Sequence, residues 1–406
     1  MNGHAHHPTH PPKNNVIQFS QALALALNAA APRSEERVPL HRSLNRILAA
    51  DIIADIAIPP FNKAAVDGYA CRRKDLRGTL TIIEEAAAGV LPTKQIGRGE
   101  CTRIMTGAPV PRGADCVVMV EQAEVDIDGR IRFFGETRDN ICAKGQDIRP
   151  GELVLQRGVR ILPAHIAVLA TVGCASVPVY RQPTIGVLAT GNELVDPSQK
   201  PLGAQIRNSN SAQLIAQLLQ MGIEAVDIGV IGDDRQETKN AIHSAMSRYD
   251  VMLLSGGVSM GAYDFVPSVL EALGFSILFD RVAMQPGKPT VFSQHKDGTY
   301  CVGLPGNPVS TFVVFELLLK PFIYALMGHH HTPKIVSAVF QSEYRRKKGI
   351  RQSTLPVRFV APDSVELLDY HGSAHIHALC RADGLITLPA GQLELKKGYP
   401  VNVRCL

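Results

Sequence analysis

Apolar residues follow two alternating periods along the second half of the chain, and the alternation predicts an α/β domain. Short apolar runs of strand length occur at 184–190, 226–231 and 251–254. Between and after them, apolar residues return at helical spacing over 210–221, 237–246 and 265–273. Strands that alternate with helices in this way form right-handed βαβ units on a parallel sheet. We therefore predict a central parallel α/β domain over 183–328.

The pattern changes on both sides of this domain. Helical spacing over 19–31, 40–50 and 162–172 predicts a helical linker domain built from 19–50 together with 150–182. Short β-type runs broken by glycine and proline predict an inserted mainly-β domain over 51–149. A similar pattern over 333–406 predicts a small C-terminal β-barrel or sandwich domain. The chain is thus expected to be a multidomain α/β protein.

Composition agrees with several domains and excludes some classes of partner. The chain has 406 residues, 45% of them hydrophobic, which is too long for one compact core. Its formal charge of +5 is mild, and the run Arg345–Lys348 is interpreted as a solvated turn. Neither nucleic acid nor a membrane surface is therefore expected as a partner. The apolar segment 309–327 contains Glu316, Lys320 and Pro321, which favours a core helix over a membrane span.

Cysteine spacing and the N-terminal residues indicate the compartment. The eight cysteines include no C-x-x-C pair, which favours reduced thiols in the cytoplasm over a disulfide framework. Residues 1–18 lack the apolar core of a secretory signal and are predicted to form a disordered tail. The histidines of this tail either bind divalent metal or are simply solvated.

Ser255-Gly256-Gly257 follows the apolar run 251–254 and precedes a helical pattern, as phosphate-binding loops do. Glycines let backbone N–H groups approach an anion closely, and a helix N-terminus adds its dipole. Ser259 and Asp264 lie in the same loop, where the Asp264 carboxylate is placed to bind a metal that bridges to phosphate. The alternative is a purely structural turn.

Carboxylates recur after the predicted strands. Glu193, Asp233, Asp234 and Asp264 each follow a strand, and loops at strand carboxyl ends are where parallel sheets bind ligands. Carboxylate oxygens together with phosphate suit Mg²⁺, which needs only one or two protein ligands. For the pair Asp233-Asp234, capping of the next helix is an equally good interpretation.

Two further Gly/Pro-dense loops carry oxyanion-binding chemistry. They are 284–290, with the turn Pro286-Gly287-Lys288-Pro289, and 303–310, with Pro305, Gly306 and Asn307. Candidate donors to a tetrahedral oxyanion are Arg281, Lys288, Ser310, Arg351, Arg358 and Ser373. Each is equally compatible with a solvated surface position. His371, His375 and His377 lie near Ser373, but His375-x-His377 falls in a β-type run with no third ligand in phase, so a metal role is not favoured.

These loops, with the segments 67–70 and 103–111 of the inserted domain, resemble the molybdopterin molybdenumtransferase family, that is, MoeA-type proteins and the related gephyrin E domain. The resemblance runs from about Phe19 to Val403 and rests on six ordered motifs. They are Asp67-Gly68-Tyr69-Ala70, Arg103 to Pro111, Ala189 to Leu194, Ser255 to Ser259, Pro286 to Pro289, and Gly303 to Pro308. It implies insertion of molybdenum from molybdate into adenylylated molybdopterin, with release of AMP and with Mg²⁺ as the cofactor. It also implies a homodimer that works with other cofactor-biosynthesis proteins and apo-molybdoenzymes.

The resemblance also implies roles for individual residues. Asp67 and Thr106 would complete the active site of the partner subunit, while Glu193, Asp233 and Asp264 would bind substrate and Mg²⁺. The implied substrate-binding set adds Ser255, Gly256, Gly257, Ser259, Asp234, Pro305, Gly306 and Asn307. The implied molybdate-binding set is Lys288, Pro289, Ser310, Arg281, Arg351, Arg358, Ser373 and Gln285.

Three positions depart from the family pattern. Gln285 stands where relatives often have lysine, Lys63 replaces a small serine, and Asn192 replaces a frequent aspartate. The spacing around 351–358 is also altered, so either Arg351 or Arg358 is the anion ligand. Two other functions stay open: a molybdopterin adenylyltransferase-like activity, and a non-catalytic peptide-binding scaffold, which would have no physical reason to keep the loop carboxylates.

Overall fold

The structure is a computed structural model of the chain and describes residues 16–258 and 265–406. Its first elements belong to the linker region. They are α1 (Phe19–Ala29), β1 (Glu35–Pro39) and β2 (Ile52–Ile53). Ile17 is already docked on the body of the protein, because its N–H donates to the Arg281 carbonyl at 3.1 Å and its carbonyl accepts from Ala283 N–H at 2.7 Å. The predicted disordered tail is therefore wrong for its last residues, and residues 1–15 with their histidines lie outside the described part.

The inserted region is mainly β, as predicted. Its strands are β3 (Lys63–Ala64), β4 (Gly68–Cys71), β5 (Thr79–Ala86), β6 (Glu100–Ile104), β7 (Cys116–Met119), β8 (Ala123–Val125), β9 (Arg130–Phe133) and β10 (Ile141–Cys142). Six of them form one sheet in the order β7-β4-β6-β5-β9-β8, and β3 pairs with β10. Apolar residues on both faces of the six-stranded sheet are buried in two separate clusters.

The linker contains strands as well as helices, which corrects the prediction of a helical domain. After the insertion the chain adds β11 (Leu153–Leu155), α2 (Pro163–Thr171) and β12 (Ser176–Tyr180). Strand β12 pairs with β1, and β11 pairs with β2, so the two halves of the linker meet across the insertion. The predicted helix over 40–50 is only a 3₁₀ turn, Leu40–Arg42. Asn45 has φ of 65°, a left-handed conformation that an α-helix does not continue through.

Helix α1 also differs from the prediction of a connector. Ala22 and Ala26 have no exposed surface and lie in the same apolar cluster as the central sheet and the long helix after it. The small side chains let the helix approach this core closely, so α1 is part of the α/β core.

The central region alternates strands and helices, as predicted. Its strands are β13 (Ile185–Thr190), β14 (Leu194–Val195), β15 (Ile206–Arg207), β16 (Ala225–Ile231), β17 (Val251–Ser255), β18 (Phe275–Phe279), β19 (Met284–Gln285), β20 (Val291–His295) and β21 (Tyr300–Leu304). Its helices are α3 (Ser209–Gln220), α4 (Arg235–Met246), α5 (Val266–Ala272), α6 (Pro308–Val314) and α7 (Lys320–Leu326).

The main sheet has the order β16-β13-β17-β21-β20-β18. Its first four strands are parallel, which places the ends of β13, β16, β17 and β21 at one edge. Strand β20 runs antiparallel to both of its neighbours, β21 and β18, which corrects the prediction of a wholly parallel sheet. A short connection between β20 and β21, Lys296 to Thr299, leaves no chain for a crossover helix, so these two strands form a hairpin.

A π-helical stretch, Phe315–Leu319, joins α6 to α7. The combined segment Pro308–Leu326 is long and apolar enough to cross a membrane by length and composition alone, but 78% of its most apolar window is buried inside the protein. This burial agrees with the prediction of a core helix.

The C-terminal region is a closed five-stranded barrel. Its strands are β22 (Ile335–Phe340), β23 (Tyr344–Arg345), β24 (Gln352–Ala361), β25 (Ser364–Leu367), β26 (Gly384–Leu388), β27 (Glu394–Leu395) and β28 (Pro400–Cys405). The barrel closes in the order β24-β25-β22-β28-β26, because β26 pairs back to β24. Strand β19 of the central region adds to β24 in parallel through Met284 and Gln285. This pairing fixes the barrel beside the Pro286–Pro289 turn.

Candidate active site

The glycine turn after β17 has the backbone that the sequence predicts for an anion loop. Gly256 and Gly257 have φ of 98° and 66°, conformations that favour glycine. A Cβ atom added at Gly256 would lie 2.5 Å from the Thr190 carbonyl oxygen, so a side chain there has no room. Val266, which begins α5, packs against Gly257. The turn therefore lies beside a helix N-terminus, at the carboxyl edge of the parallel sheet.

Two carboxylates lie on neighbouring loops at the same edge. Glu193 follows β13 and Asp233 follows β16, and these strands are adjacent in the sheet. Asn192 joins the two loops, because its backbone N–H donates to Asp233 Oδ2 at 3.4 Å and its Oδ1 accepts from Asp233 N–H at 3.2 Å. Within the described residues, neither carboxylate forms a salt bridge. Both are therefore available to a cation or to a substrate donor.

Asp234, unlike Asp233, is engaged by the protein itself. Its Oδ1 accepts from the N–H of Glu237 at 2.8 Å and caps the N-terminus of α4. The capping interpretation is therefore the better one for Asp234, which had been assigned to the substrate. Ser259 and Asp264 lie outside the described residues.

The loop Pro305–Asn307 connects the glycine turn to the C-terminal barrel. A Cβ atom added at Gly306 would lie 3.9 Å from the Cα of Gly256, so the two loops touch. The Nδ2 of Asn307 donates to Ser373 Oγ at 2.9 Å, and Ser373 belongs to the C-terminal domain. The N–H of Val309 donates to the Ser373 carbonyl at 3.0 Å. These bonds hold Ser373 against the start of α6.

A cavity of about 370 Å³ lies between this loop, the Pro286–Pro289 turn and the barrel. It brings together eight residues proposed from the sequence: Gln285, Lys288, Pro289, Pro305, Asn307, Ser310, Arg351 and Ser373. The described lining also includes Tyr344, Ser353, Thr354 and Tyr370, and it contains two cations but no Asp or Glu. Cations together with hydroxyl and amide donors suit an oxyanion.

Neighbouring residues hold Arg351 through long contacts that leave its guanidinium able to donate to a ligand. Its Nη1 lies 3.4 Å from the Met284 carbonyl and its Nη2 lies 3.5 Å from Gln285 Oε1, both long for hydrogen bonds. Arg346 donates to the Arg351 carbonyl at 2.6 Å and to two further carbonyls, those of Pro389 and Gln392. Arg346 was expected in a solvated turn, but its guanidinium donates to three backbone carbonyls. These bonds fix the loop that carries Arg351.

Tyr370 keeps a neutral donor at the cavity wall. Burial, with a smaller contribution from the neighbouring Tyr344, raises the pKa of Tyr370 to about 12. The phenol therefore stays protonated near neutral pH and brings no negative charge to an anion.

Two proposed anion ligands lie elsewhere. Arg358 forms a salt bridge with Glu366 on the next strand at 2.5 Å and does not line the cavity. Arg281 is also absent from the lining. Arg351 immediately precedes β24, and Arg358 lies seven residues further along this extended strand, so the two side chains cannot reach the same place. Of the two arginines left open by the sequence, only Arg351 reaches the cavity.

Two histidines close in sequence to the lining residues Gly372 and Ser373 stack on one another. The rings of His371 and His375 are nearly parallel, with centroids 4.9 Å apart. No group of three His, Cys, Asp or Glu side chains within 16–258 and 265–406 is placed to hold a metal ion.

Asp67 and Thr106 form a second polar site, in the inserted domain. Asp67 Oδ1 accepts from the N–H of Thr106 at 2.6 Å and from its hydroxyl at 2.7 Å. These bonds hold the pKa of Asp67 below its usual value. In the described chain, neither residue forms a hydrogen bond with the central domain. The side chains of Asp67 and Thr106 are therefore available to another molecule.

Three family models cover most of the chain. They are described as the MoeA N-terminal region (domain I and II), matching residues 17–173, a probable molybdopterin binding domain, matching 186–325, and the MoeA C-terminal region (domain IV), matching 339–406. The chain belongs to the MoeA family. The family resemblance drawn from the six motifs is thereby confirmed, together with the multidomain fold.

Named relatives match this chain over almost its whole length. A molybdopterin molybdenumtransferase of Staphylococcus aureus (strain Mu50) is 34% identical over 408 residues, which cover 96% of each chain. The corresponding protein of Staphylococcus epidermidis (strain ATCC 35984) is 33% identical over 402 residues, again with 96% of each chain covered. A solved molybdopterin biosynthesis moeA protein from Pyrococcus horikoshii OT3 superposes with a TM-score of 0.83 at 26% identity, over 97% of this chain and all of the other.

Besides four lining residues of the cavity, the structure adds a buried residue that the sequence did not single out. Asn210, the second residue of α3, donates from Nδ2 to Ser255 Oγ and to the Gly306 carbonyl, both at 2.7 Å. In the sequence it is one polar residue among several at the start of a predicted helix. No local signal distinguishes it, because its partners lie 45 and 96 residues away.

Proposed function

We propose that this protein inserts molybdenum from molybdate into adenylylated molybdopterin and releases AMP. As a member of the MoeA family it is a transferase of molybdenum cofactor biosynthesis. One observation supports the specific reaction: the oxyanion-type cavity and the glycine turn are joined by the single loop Pro305–Asn307. Molybdenum insertion needs such proximity, because the oxyanion must reach the pterin sulfurs while the phosphates of the same substrate are held nearby.

In this proposal the cavity binds molybdate. Lys288 and Arg351 supply positive charge, and Ser310 and Ser373 supply hydroxyl donors to its oxygens. Asn307 fixes the position of Ser373 by donating to its hydroxyl oxygen. The Ser373 hydroxyl proton is therefore directed away from Asn307 and is free to be donated to the anion.

The carboxyl edge of the parallel sheet binds the phosphoanhydride. Backbone N–H groups of the Gly256-Gly257 turn approach the phosphates, as expected of a glycine turn beside a helix N-terminus. Glu193 and Asp233 face the same edge from two neighbouring loops. One or two carboxylates together with substrate phosphates are a typical ligand set for Mg²⁺, so these residues fit that ion. Bound there, Mg²⁺ would neutralise charge that develops on the phosphates as AMP leaves.

We also propose that the protein is a cytoplasmic homodimer. All eight cysteines are free, as in a reducing compartment. Asp67 and Thr106 form a polar pair without hydrogen bonds to the described part of the central domain of their own chain, which is consistent with a role in the active site of a partner subunit. Sedimentation of the purified protein tests the dimer. Mixing an Asp67→Asn subunit with an Asp264→Asn subunit tests the shared site, because only mixed dimers would regain one intact active site.

A single incubation tests the reaction. Purified protein with molybdopterin-AMP, molybdate and Mg²⁺ should yield active cofactor and AMP without ATP, and chelation of Mg²⁺ should slow AMP release. A strict requirement for ATP would instead favour adenylylation of molybdopterin. Absence of AMP release under all of these conditions would leave the scaffold as the remaining alternative.

A further inference from the structure

The side chain of Asn210 connects two loops of the proposed site. One amide hydrogen is donated to Ser255 Oγ, at the start of the glycine turn, and the other to the carbonyl of Gly306, in the loop that reaches the molybdate cavity. Both bonds measure 2.7 Å, and Asn210 is 8% exposed. A primary amide is the neutral group that donates two hydrogens from one atom. Asn210 therefore holds the two loops at a fixed separation.

The start of α3 is itself well anchored. Asn208 is the N-cap, and its Oδ1 accepts from the N–H of Ser211 at 3.2 Å while its Nδ2 donates to Ser211 Oγ at 2.9 Å. Asn210 thus projects from a fixed first turn. Its amide therefore fixes both loops relative to helix α3.

Two buried polar atoms beside the glycine turn have no hydrogen-bond partner among residues 16–258 and 265–406. They are Asn210 Oδ1 and Thr190 Oγ1, and Thr190 is 4% exposed. A Cβ atom added at Gly256 would lie 2.8 Å from Thr190 Oγ1, so this hydroxyl lies directly under the turn. Unpaired buried polar atoms are rare, because each loses its hydration without compensation. Both atoms therefore keep hydrogen-bonding capacity beside the turn that is proposed to bind the phosphates.

We infer that Asn210 is a positioning residue for the proposed reaction: its amide sets the distance between the glycine turn, which binds the phosphates, and the Pro305–Asn307 loop, which leads to the molybdate cavity. This inference rests on the proposed function. It assigns no contact between Asn210 and the reacting atoms. Its loss should let the two loops separate, which weakens binding of a substrate that spans both.

Gln217 provides a matched control on the same helix. It is also a buried amide, 6% exposed, and its Nε2 donates to Glu316 Oε1 at 3.0 Å, away from both loops. Asn210→Ala and Gln217→Met each remove one buried amide. Both variants should lower the unfolding temperature, whereas only Asn210→Ala should raise the dissociation constant for molybdopterin-AMP, by about tenfold. A structural role alone would lower stability in both and affinity in neither.

Ser255, which accepts one of the two hydrogen bonds from Asn210, gives a second test. Ser255→Ala removes the acceptor for one of the two bonds, so it should also weaken molybdopterin-AMP binding. This test does not depend on whether Asn210→Ala folds. If the bond is the cause, the double variant should bind no more weakly than Asn210→Ala. Fully additive losses, or unchanged affinity in Asn210→Ala, would overturn the inference.

Equilibrium binding separates this inference from the proposed reaction. If the unmodified protein binds molybdopterin-AMP but releases no AMP with molybdate and Mg²⁺, the reaction is wrong while the dissociation constants of the variants still decide the role of Asn210. If the unmodified protein does not bind molybdopterin-AMP at all, both proposals fail together.

Discussion

Gln285 is a neutral side chain at the wall of the cavity, and a positive charge at this position should tighten molybdate binding. Gln285 is exposed, lines the cavity and lies 3.5 Å from Arg351 through its Oε1. A lysine at this position would place its ammonium within about 4 Å of a bound anion. At that separation one pair of unit charges interacts by about 1 kcal/mol in a water-like dielectric and by about 4 kcal/mol at an effective dielectric of 20.

The exposure of Gln285 selects the lower value. Since water reaches the position, each unit of anion charge gains about 1 kcal/mol, and a dianion gains about 2 kcal/mol. The expected result for Gln285→Lys is molybdate binding about five- to thirtyfold tighter at low salt. Repulsion between the new ammonium and Arg351 acts in the empty and the filled cavity alike. It should therefore lower the free energy of unfolding and leave the affinity gain largely intact.

The assay is the molybdate dependence of AMP release at low and at high ionic strength. The screening length falls from about 30 Å at 0.01 M salt to about 3 Å at 1 M, so the advantage of Gln285→Lys should largely vanish at high salt. Gln285→Glu should bind more weakly than the unmodified protein. Gln236→Lys, an exposed substitution on α4, adds the same net charge without lining the cavity and serves as the control. Equal affinities of the Lys and Glu variants at low salt would refute the reasoning, and so would an equal gain in the control.

Two further predictions concern the arginines and the inserted domain. Arg351→Ala should raise the molybdate KM about ten- to hundredfold, because a charged donor to the anion is lost, whereas Arg358→Ala removes an exposed ion pair and should leave KM unchanged; equal effects in a steady-state assay would contradict the assignment. Gly68→Ala should destabilise the inserted domain by about 3 kcal/mol in denaturant unfolding, because its Cβ would lie 1.8 Å from the Val118 carbonyl oxygen, whereas Gly129→Ala, with φ of 74° and open space around it, should cost only about 1 kcal/mol; similar costs would show that the backbone of β7 yields.

Local patterns predicted the elements of the central domain because its strands and helices carry strong, uninterrupted periods. The same reasoning failed over 40–50, where apolar spacing suggested a helix but Asn45 adopts a left-handed backbone. Periodicity measures which side of a segment is apolar and does not detect one residue that ends a helix. The antiparallel direction of β20 also escaped prediction, since the direction of a strand in a sheet depends on its tertiary partners.

The candidate site was likewise predicted only in part. Glycine turns and the Pro-Gly-Lys-Pro motif could be recognised, because backbone requirements leave a compositional trace. The choice between Arg351 and Arg358 could not be made, since it depends on which end of β24 pairs with β19. Arg346 was read as solvated because charge runs usually are, yet three carbonyls of the fold surround it. The role of a polar side chain depends on partners that are distant in sequence.

The loop Pro305–Asn307 connects the two halves of the proposed site. Its Gly306 carbonyl is bound by Asn210 of the central domain, and its Asn307 amide binds Ser373 of the barrel domain. Pairing of β19 with β24 fixes the opposite wall of the same cavity, so the barrel is attached on two sides. A shift of the barrel would therefore change the distance between the oxyanion donors and the glycine turn. The attachment of the C-terminal domain is thus part of the geometry of the site, and its hydrogen bonds at Ser373 should matter for substrate spacing as much as for stability.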